Sequence, residues 1–273
     1  MIDNGRSPHW RPRLVVIDLD GTVVPGPGFT GGPPSPAVRT ALAKVRAAGV
    51  PVVVATARTI LLCFDTLSQL GLDNGWLVCG NGGITYHLDS RTFRHRVTFD
   101  AAPVAKALAA ALPGAEFAVE EGAHGFRATP GFCAGLPLTP VAAQPLPELL
   151  AAPVTRMACR AHAHPRAAIS AAAIAATTGH DVVWASEVEG WLDIRPAGLS
   201  KAAAVVAVAE QLAVAPADAL AIGDGANDVP VFAWAGCSVA MGDAPQAVRD
   251  AATYVTGDVA ADGAATALAR WFP

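Results

Sequence analysis

Leu14-Val15-Val16-Ile17 runs straight into Asp18-Leu19-Asp20-Gly21-Thr22, and this junction restricts the fold more than any other stretch of the chain. Four consecutive aliphatic residues, three of them β-branched, suit a strand buried on both faces inside a helix-covered parallel sheet. Two carboxylates then stand at the strand's carboxyl end, at the i, i+2 spacing that points both the same way while the chain stays extended. Open α/β sheets bind their ligands at those carboxyl ends. Two acids there, beside a glycine that lets backbone come close, suit a nucleophile and a proton donor gathered around a metal. An ordinary solvated strand end is the bland alternative, and the rest of the chain decides between them.

Two more strands of the same texture follow. Residues 50–55 end at Thr56, and residues 76–79 run into Gly80-Asn81-Gly82-Gly83. A Gly/Pro-rich loop at 25–34 leads to Ser35-Pro36, an N-cap and first-turn proline for a helix that ends at Gly49. A second helix is predicted over about 59–70, stopping at Gly71. Three strand–helix units with apolar strands imply a parallel sheet with right-handed crossovers.

The texture changes at residue 84. Residues 86–99 read as a two-stranded element around Asp89-Ser90, followed by a helix at 101–112 and a short strand at 117–119. After a Gly/Pro-rich loop come a strand at 155–160, a helix at 165–177 and strands at 182–184 and 191–194. Half-polar strands with helices on one side describe an inserted α+β module. The first pattern then returns. Ser200 caps a helix at 201–213, a strand at 219–222 ends in Gly223-Asp224, and a helix at 227–235, a strand at 238–241, a helix at 245–251 and a strand at 253–255 follow. The expected architecture is α/β: a doubly wound, Rossmann-like parallel sheet from 1–83 and 195–273, with an α+β domain inserted at 84–194.

Composition narrows the function classes. The 273 residues are 52% apolar and only 15% charged, with a net charge of -4, which gives a substantial core and no basic footprint for nucleic acid or a membrane surface. Five cysteines (63, 79, 133, 159 and 237) form no CxxC pair and read as reduced, packed thiols. Arg6, Arg11 and Arg13 mimic a signal-peptide start, but the apolar stretch behind them is too short, and no run approaches the roughly 18 apolar residues of a membrane span. A cytoplasmic protein is expected, and nothing in the sequence fixes its oligomeric state.

Strand ends and helix starts now present Asp18, Asp20, Thr56, Lys201 and Gly223-Asp224-Gly225-Ala226-Asn227-Asp228. In a doubly wound sheet these converge on one crevice. Carboxylates gathered there at ~4 Å repel by about 4 kcal/mol per pair at an effective dielectric near 20, so a cation is needed. All-oxygen ligation suits Mg²⁺ better than Zn²⁺. Lys201 would offset the nucleophile's charge and bind a phosphoryl oxygen, and Thr56 with the amides after it would supply uncharged donors.

In their order, these segments resemble the four motifs of the haloacid dehalogenase (HAD) superfamily, with the insertion between the second and third motifs as in its type-II (subclass B) cap members. Gly80-Asn81-Gly82, Arg195-Pro196-Ala197-Gly198-Leu199-Ser200-Lys201 and Val239-Ala240-Met241-Gly242 are similar to Cof-type phosphatases. The resemblance covers about 14–83 and 195–270, and extends to the cap in position and length. It implies a Mg²⁺-dependent phosphatase acting on a small phosphorylated metabolite, a sugar phosphate or similar. Asp18 would attack phosphorus to form an aspartyl phosphate, and Asp20 would protonate the leaving alkoxide and then activate water. The metal set would be Asp18, Asp20 through its backbone carbonyl, and Asp224, with Asp228 or Asn227 close behind. Thr56, Lys201, Asn81 and Asn227 would contact phosphate or substrate, Asn81 at the core–cap seam. Two rivals use the same residues differently: phosphomutase-type transfer on a sugar phosphate, and a non-catalytic binding protein on a HAD scaffold. Intact Asp18, Asp20, Lys201 and Asp224 argue against the second.

Two departures from the Cof pattern stand out: Val231-Phe232 replaces the usual Met-Leu pair, and Asp243 stands where Asn is common. Outside the motifs, Arg58 suits a structural ion pair as well as a substrate contact. His162-Ala163-His164 lacks a third ligand, Trp184 and Trp191 read as packing, and Arg127 in the 121–131 loop is a candidate for reaching substrate.

Overall fold

The structure is a computed structural model describing residues 10–26, 32–136, 139–176, 180–184 and 190–273. In chain order the elements are β1 (Leu14–Ile17), α1 (Pro36–Ala47), β2 (Val52–Ala55), α2 (Phe64–Gln69), β3 (Trp76–Cys79), β4 (Ile84–His87), β5 (Thr92–Arg96), α3 (Ala102–Ala111), β6 (Glu116–Glu120), β7 (Phe126–Ala128) and β8 (Ala142–Ala143). They continue with α4 (Leu146–Leu149), β9 (Met157–Arg160), α5 (Arg166–Ala176), β10 (His180–Trp184), β11 (Trp191–Pro196), α6 (Lys201–Gln211), β12 (Ala219–Gly223), α7 (Val229–Trp234), β13 (Cys237–Ala240), α8 (Gln246–Ala251), β14 (Tyr254–Val255) and α9 (Gly263–Ala269). Two compact units result: Met1–His95 with Ser200–Pro273, and Arg96–Leu199.

The first unit is built on a sheet ordered β14-β13-β12-β1-β2-β3-β4-β5. The strands from β14 to β3 are parallel, and β1 lies between β12 and β2 with Ile17 level with Ile222 and Val54. Every residue of β1 is buried, as its unbroken aliphatic run requires. Val16, Val53, Val78 and Ala221 pack on Val205, Val208 and Ala209 of α6, in a cluster that also takes in Val231 and Phe232, so the Val-Phe departure is a core matter. The Ser35 hydroxyl accepts the Val38 N–H at 3.1 Å and starts α1 as expected. The register matters for function: strand order reverses at β1, so β1, β2 and β12 end side by side.

Two local expectations needed correction. The segment 59–70 is not one helix but a 3₁₀ turn at Ile60–Leu62 followed by α2; the Leu62 carbonyl at the break accepts the Arg58 guanidinium at 3.1 Å. The hairpin at 84–96, whose alternating texture suggested the inserted module, belongs to the first sheet: β4 pairs antiparallel with β3, and β5 forms the outer edge with mostly exposed Thr92, Arg94, His95 and Arg96.

The second unit is a sheet ordered β10-β11-β9-β6-β7-β8, antiparallel except for β7 with β8. One face (Phe117, Val119, Met157, Cys159, Leu192 and Ile194) packs on α3 and α5. The other carries Ala118, Ala158 and Trp191 against Phe132, with the Trp191 and Phe132 rings edge to face at 5.0 Å, so Trp191 is a packing residue. Strands β7 and β8 and helix α4 lie within the expected Gly/Pro-rich loop. The Trp184 side chain, residue 177 at the end of the expected helix, residues 27–31 of the loop at 25–34, and Arg6 lie outside the described residues. Cys63, Cys79, Cys159 and Cys237 are buried, and Cys133 is half-buried. Among the described residues no helix is long and apolar enough to cross a membrane.

Gly82 ties the third strand's loop to the start of α6. Its φ of +95° is left-handed, and a Cβ there would lie 2.4 Å from the carbonyl oxygen of Ser200, the N-cap of α6. Gly49, also at positive φ (+72°), has open space around it. Gly82→Ala should therefore cost about 2 kcal/mol or more of stability, through strain plus overpacking, and Gly49→Ala about 1 kcal/mol through strain alone. Urea unfolding midpoints of the two variants, compared with the unsubstituted chain, check the difference.

Candidate active site

Three neighbouring strand ends deliver the site. Asp18 follows β1, Thr56 follows β2, and Asp224 follows Gly223 at the end of β12. Lys201 is the first residue of α6, whose N-cap Ser200 accepts the Ala203 N–H at 3.3 Å, and Asp228 is the cap position of α7. The Lys201 Nζ donates to Asp18 Oδ1 at 2.9 Å and to Asp228 Oδ1 at 2.7 Å, in a pocket where Lys201 is 2% exposed. Asp228 is further occupied, because its Oδ2 accepts the backbone N–H groups of Asp224 (3.1 Å) and Gly225 (2.9 Å). It therefore holds both the lysine and the loop that carries Asp224. The Thr22 hydroxyl donates to Asp224 Oδ1 at 3.1 Å. Gly21 makes the close approach possible, since a Cβ at that position would sit 2.2 Å from Asp224 Oδ2.

The cluster carries excess negative charge. Asp18, Asp224 and Asp228 each place an oxygen within 4.8 Å of the others, and among the described residues the ammonium paired with them is that of Lys201. Burial, reinforced by Asp228 and Asp224, pushes the Asp18 carboxyl up to about 8 although Lys201 pulls the other way. Burial and then Asp228 raise Asp224 to about 6. Burial alone would lower Lys201, but the charges of Asp18 and Asp228 outweigh it and the ammonium is held above its ordinary value. An all-oxygen donor set with surplus negative charge fits a hard divalent cation. Asp18, Asp224 and Asp228 together could hold one, with Asp228 also accepting three N–H donors on its two oxygens.

Asp20 faces another cation. Its Oδ2 accepts Arg58 Nε at 2.8 Å and its Oδ1 accepts Arg58 Nη2 at 2.6 Å, so its carboxylate is paired with Arg58 and stands apart from the three-acid group. The Thr56 hydroxyl is fully buried and accepts the Arg58 N–H at 3.1 Å. Asn81, in the left-handed region with φ of 54°, accepts Asn227 Nδ2 on its Oδ1 at 2.7 Å. The structure thus joins Asp18, Lys201, Asp224 and Asp228 in one group, Asn81 with Asn227, and Thr56 with Arg58 and Asp20. Sequence reading left Arg58 between two meanings and passed over Thr22. The available signals were Arg58's place two residues after Thr56 and Thr22's place in the Asp-x-Asp-Gly-Thr turn.

The secondary candidates have partners of their own. Arg127 pairs with Glu121 and donates to Gln144 Oε1 at 2.9 Å. His164 Nε2 contacts the Pro113 carbonyl at 2.9 Å. Asp243 is exposed, on a turn whose flanking carbonyls at Gly242 and Ala244 both accept Arg249 Nη1.

Comparison with known proteins resolves the lineage. The family model described as haloacid dehalogenase-like hydrolase matches residues 15–123 and 157–268, which include every residue of the site. The chain belongs to the haloacid dehalogenase-like hydrolases. This agrees with the Cof-type resemblance of its motifs. A Bacillus subtilis relative, 5-amino-6-(5-phospho-D-ribitylamino)uracil phosphatase, is 36% identical over 80 residues, 29% of this chain and 32% of the relative, so the match spans about a third of that protein's length. A haloacid dehalogenase-like hydrolase from Bacteroides thetaiotaomicron superposes with a TM-score of 0.80 at 22% identity, covering 95% of this chain and 99% of that one. A HAD subclass IIB sugar phosphatase superposes with a TM-score of 0.70 at 20% identity, covering 94% and 98%. These two structures share the fold of this haloacid dehalogenase-like hydrolase.

The raised carboxyls make a signed prediction. Asp18 (about 8) and Asp224 (about 6) lie above their ordinary value of 3.8, so in metal-free protein they oppose folding increasingly as pH rises from about 4 to 8. A divalent cation binds only the deprotonated carboxylates and should offset that loss. The rise in Tm on exchanging EDTA for Mg²⁺ should be larger at pH 8 than at pH 5, and this pH dependence should shrink in Asp224→Asn. Thermal melts of both proteins at the two pH values test it, and an equal or larger rise at pH 5 would contradict the assignment.

Proposed function

We propose that this chain is a Mg²⁺-dependent phosphatase that hydrolyses a small phosphorylated metabolite, of the sugar-phosphate kind, through an aspartyl-phosphate intermediate. The observation that carries this reading is the buried Asp18 carboxylate at the end of β1, held at 2.9 Å by Lys201 inside a group of three acids. Family membership supports hydrolysis. The names of two relatives, a phosphatase of a phosphorylated uracil derivative and a sugar phosphatase, support a small phosphorylated substrate.

Bound by Asp18, Asp224 and the Asp20 carbonyl, Mg²⁺ would withdraw charge from the phosphoryl oxygens and relieve the repulsion among the carboxylates. Lys201 occupies Asp18 Oδ1, which leaves Oδ2 as the attacking atom. As the Asp18 Oδ2–phosphorus bond forms, the bond from phosphorus to the leaving oxygen breaks, and Asp20 gives that oxygen a proton. Lys201 and Thr56 hold the phosphoryl oxygens as charge moves onto them. Water then attacks phosphorus, its proton passes to Asp20, and the phosphorus–Asp18 bond breaks to release inorganic phosphate. Asn81 and Asn227, bonded to each other, present amide groups toward the remainder of the substrate.

A screen of phosphorylated metabolites and para-nitrophenyl phosphate should reveal phosphate release that EDTA abolishes and Mg²⁺ restores. Asp18→Asn should fall to background with its circular dichroism unchanged, and Asp20→Asn should lose about 10²–10⁴-fold. More than a few per cent residual activity in Asp18→Asn, or full activity without metal, would overturn the reading.

A further inference from the structure

Arg58 is 8% exposed, and its guanidinium is engaged on every side. Nε and Nη2 hold the two oxygens of Asp20 at 2.8 and 2.6 Å, while Nη1 donates to the Leu62 carbonyl at 3.1 Å and to Thr66 Oγ1 at 2.9 Å. Its backbone N–H donates to Thr56 Oγ1 at 3.1 Å. Leu62 closes the 3₁₀ turn and Thr66 lies in α2, so the break in the expected helix supplies the far anchor of the fork.

We propose that Arg58 is the positioning residue that aims Asp20 at the leaving-group oxygen, an inference that rests on the phosphatase reading above. A lone carboxylate at a strand end can swing among rotamers, whereas a bidentate guanidinium fixes both its position and its plane. Each carboxylate oxygen keeps a second lone-pair site, so the fork orients Asp20 without covering it. Proton transfer needs heavy atoms within hydrogen-bond reach, and an error of about 1 Å costs on the order of 10²-fold. In the step concerned, the bond from phosphorus to the leaving oxygen breaks, its electron pair goes to that oxygen, and it takes the proton that Asp20 received from the attacking water of the preceding turnover. The planar fork is the essential feature; a positive charge alone would not supply it, so lysine is no substitute.

The test varies the leaving group at constant chemistry. With Mg²⁺-loaded protein, kcat/KM is measured for para-nitrophenyl phosphate, whose leaving oxygen needs little protonation, and for phenyl phosphate, whose leaving oxygen needs it. This ratio reports events up to formation of the phosphoaspartate. Arg58→Gln and Arg58→Lys should each lose about 10²-fold on phenyl phosphate and at least about tenfold less on para-nitrophenyl phosphate. Thr66→Val, which removes one anchor, should show the same selectivity in smaller measure, and it serves as the reading if the Arg58 variants do not fold. Arg58→Gln added to Asp20→Asn should bring no further selectivity. Equal losses on both substrates, phenyl phosphate activity retained by Arg58→Lys, or a wild type already as leaving-group sensitive as its variants would each overturn the positioning role while leaving the phosphatase reading intact. A wild type that releases phosphate from neither ester nor any metabolite of the screen overturns both.

Discussion

A single ammonium buried among three carboxylates sets the terms for the rest of this molecule. Lys201 cannot sit at 2% exposure without anionic partners, and Asp18 and Asp228 cannot be buried beside one another without it. Removing one member of such a group leaves an unpaired charge in a poorly solvated place, a loss of roughly 3–5 kcal/mol. The group therefore forces the end of β1, the start of α6 and the start of α7 into one location, and the register of β12 on β1 makes that location reachable. The surplus negative charge left over is what a divalent cation would neutralise.

Four acids share this end of the sheet, and two cations divide them. Lys201 serves Asp18 and Asp228, while Arg58 serves Asp20. A flexible, point-like ammonium suits a carboxylate that, on the proposed mechanism, presents one oxygen and later releases a covalent bond. A planar guanidinium suits one that, on the same proposal, keeps its orientation through a proton transfer. Asp228 plays a third part. With two backbone N–H groups on one oxygen and Lys201 on the other, it shapes the loop that carries Asp224.

The sheet core, the helix caps and most of the site could be read from the chain because each depends on local chemistry. An aliphatic run such as 14–17 is satisfied by little except a central strand, and Ser35-Pro36 or Ser200-Lys201 mark helix starts through their own hydrogen bonds. What could not be read depends on partners distant in sequence. Arg58 has the same local signature as a surface arginine; only the fold brings Asp20 and Thr66 to it. The hairpin at 84–96 has the alternation of a half-exposed sheet wherever it sits, and it joined the first sheet because the edge of β3 was available for pairing. Strands β7 and β8 are too short, at 126–128 and 142–143, to show a period in a stretch rich in glycine and proline.

The pairing of β1 with β12 also carries a cost in time. Lys201 and Asp18 are 183 residues apart in the chain, and β12 follows later still. At ribosomal elongation rates of about 5–20 residues per second, β1 leaves the ribosome roughly 10–40 s before its central neighbour exists. Throughout that interval the nascent chain can form β1, β2 and β3 with one edge of the central strand open and its acids without their ammonium. Late closure makes this edge the point at which a growing chain is most exposed to wrong partners, and the most natural place for a chaperone to hold it.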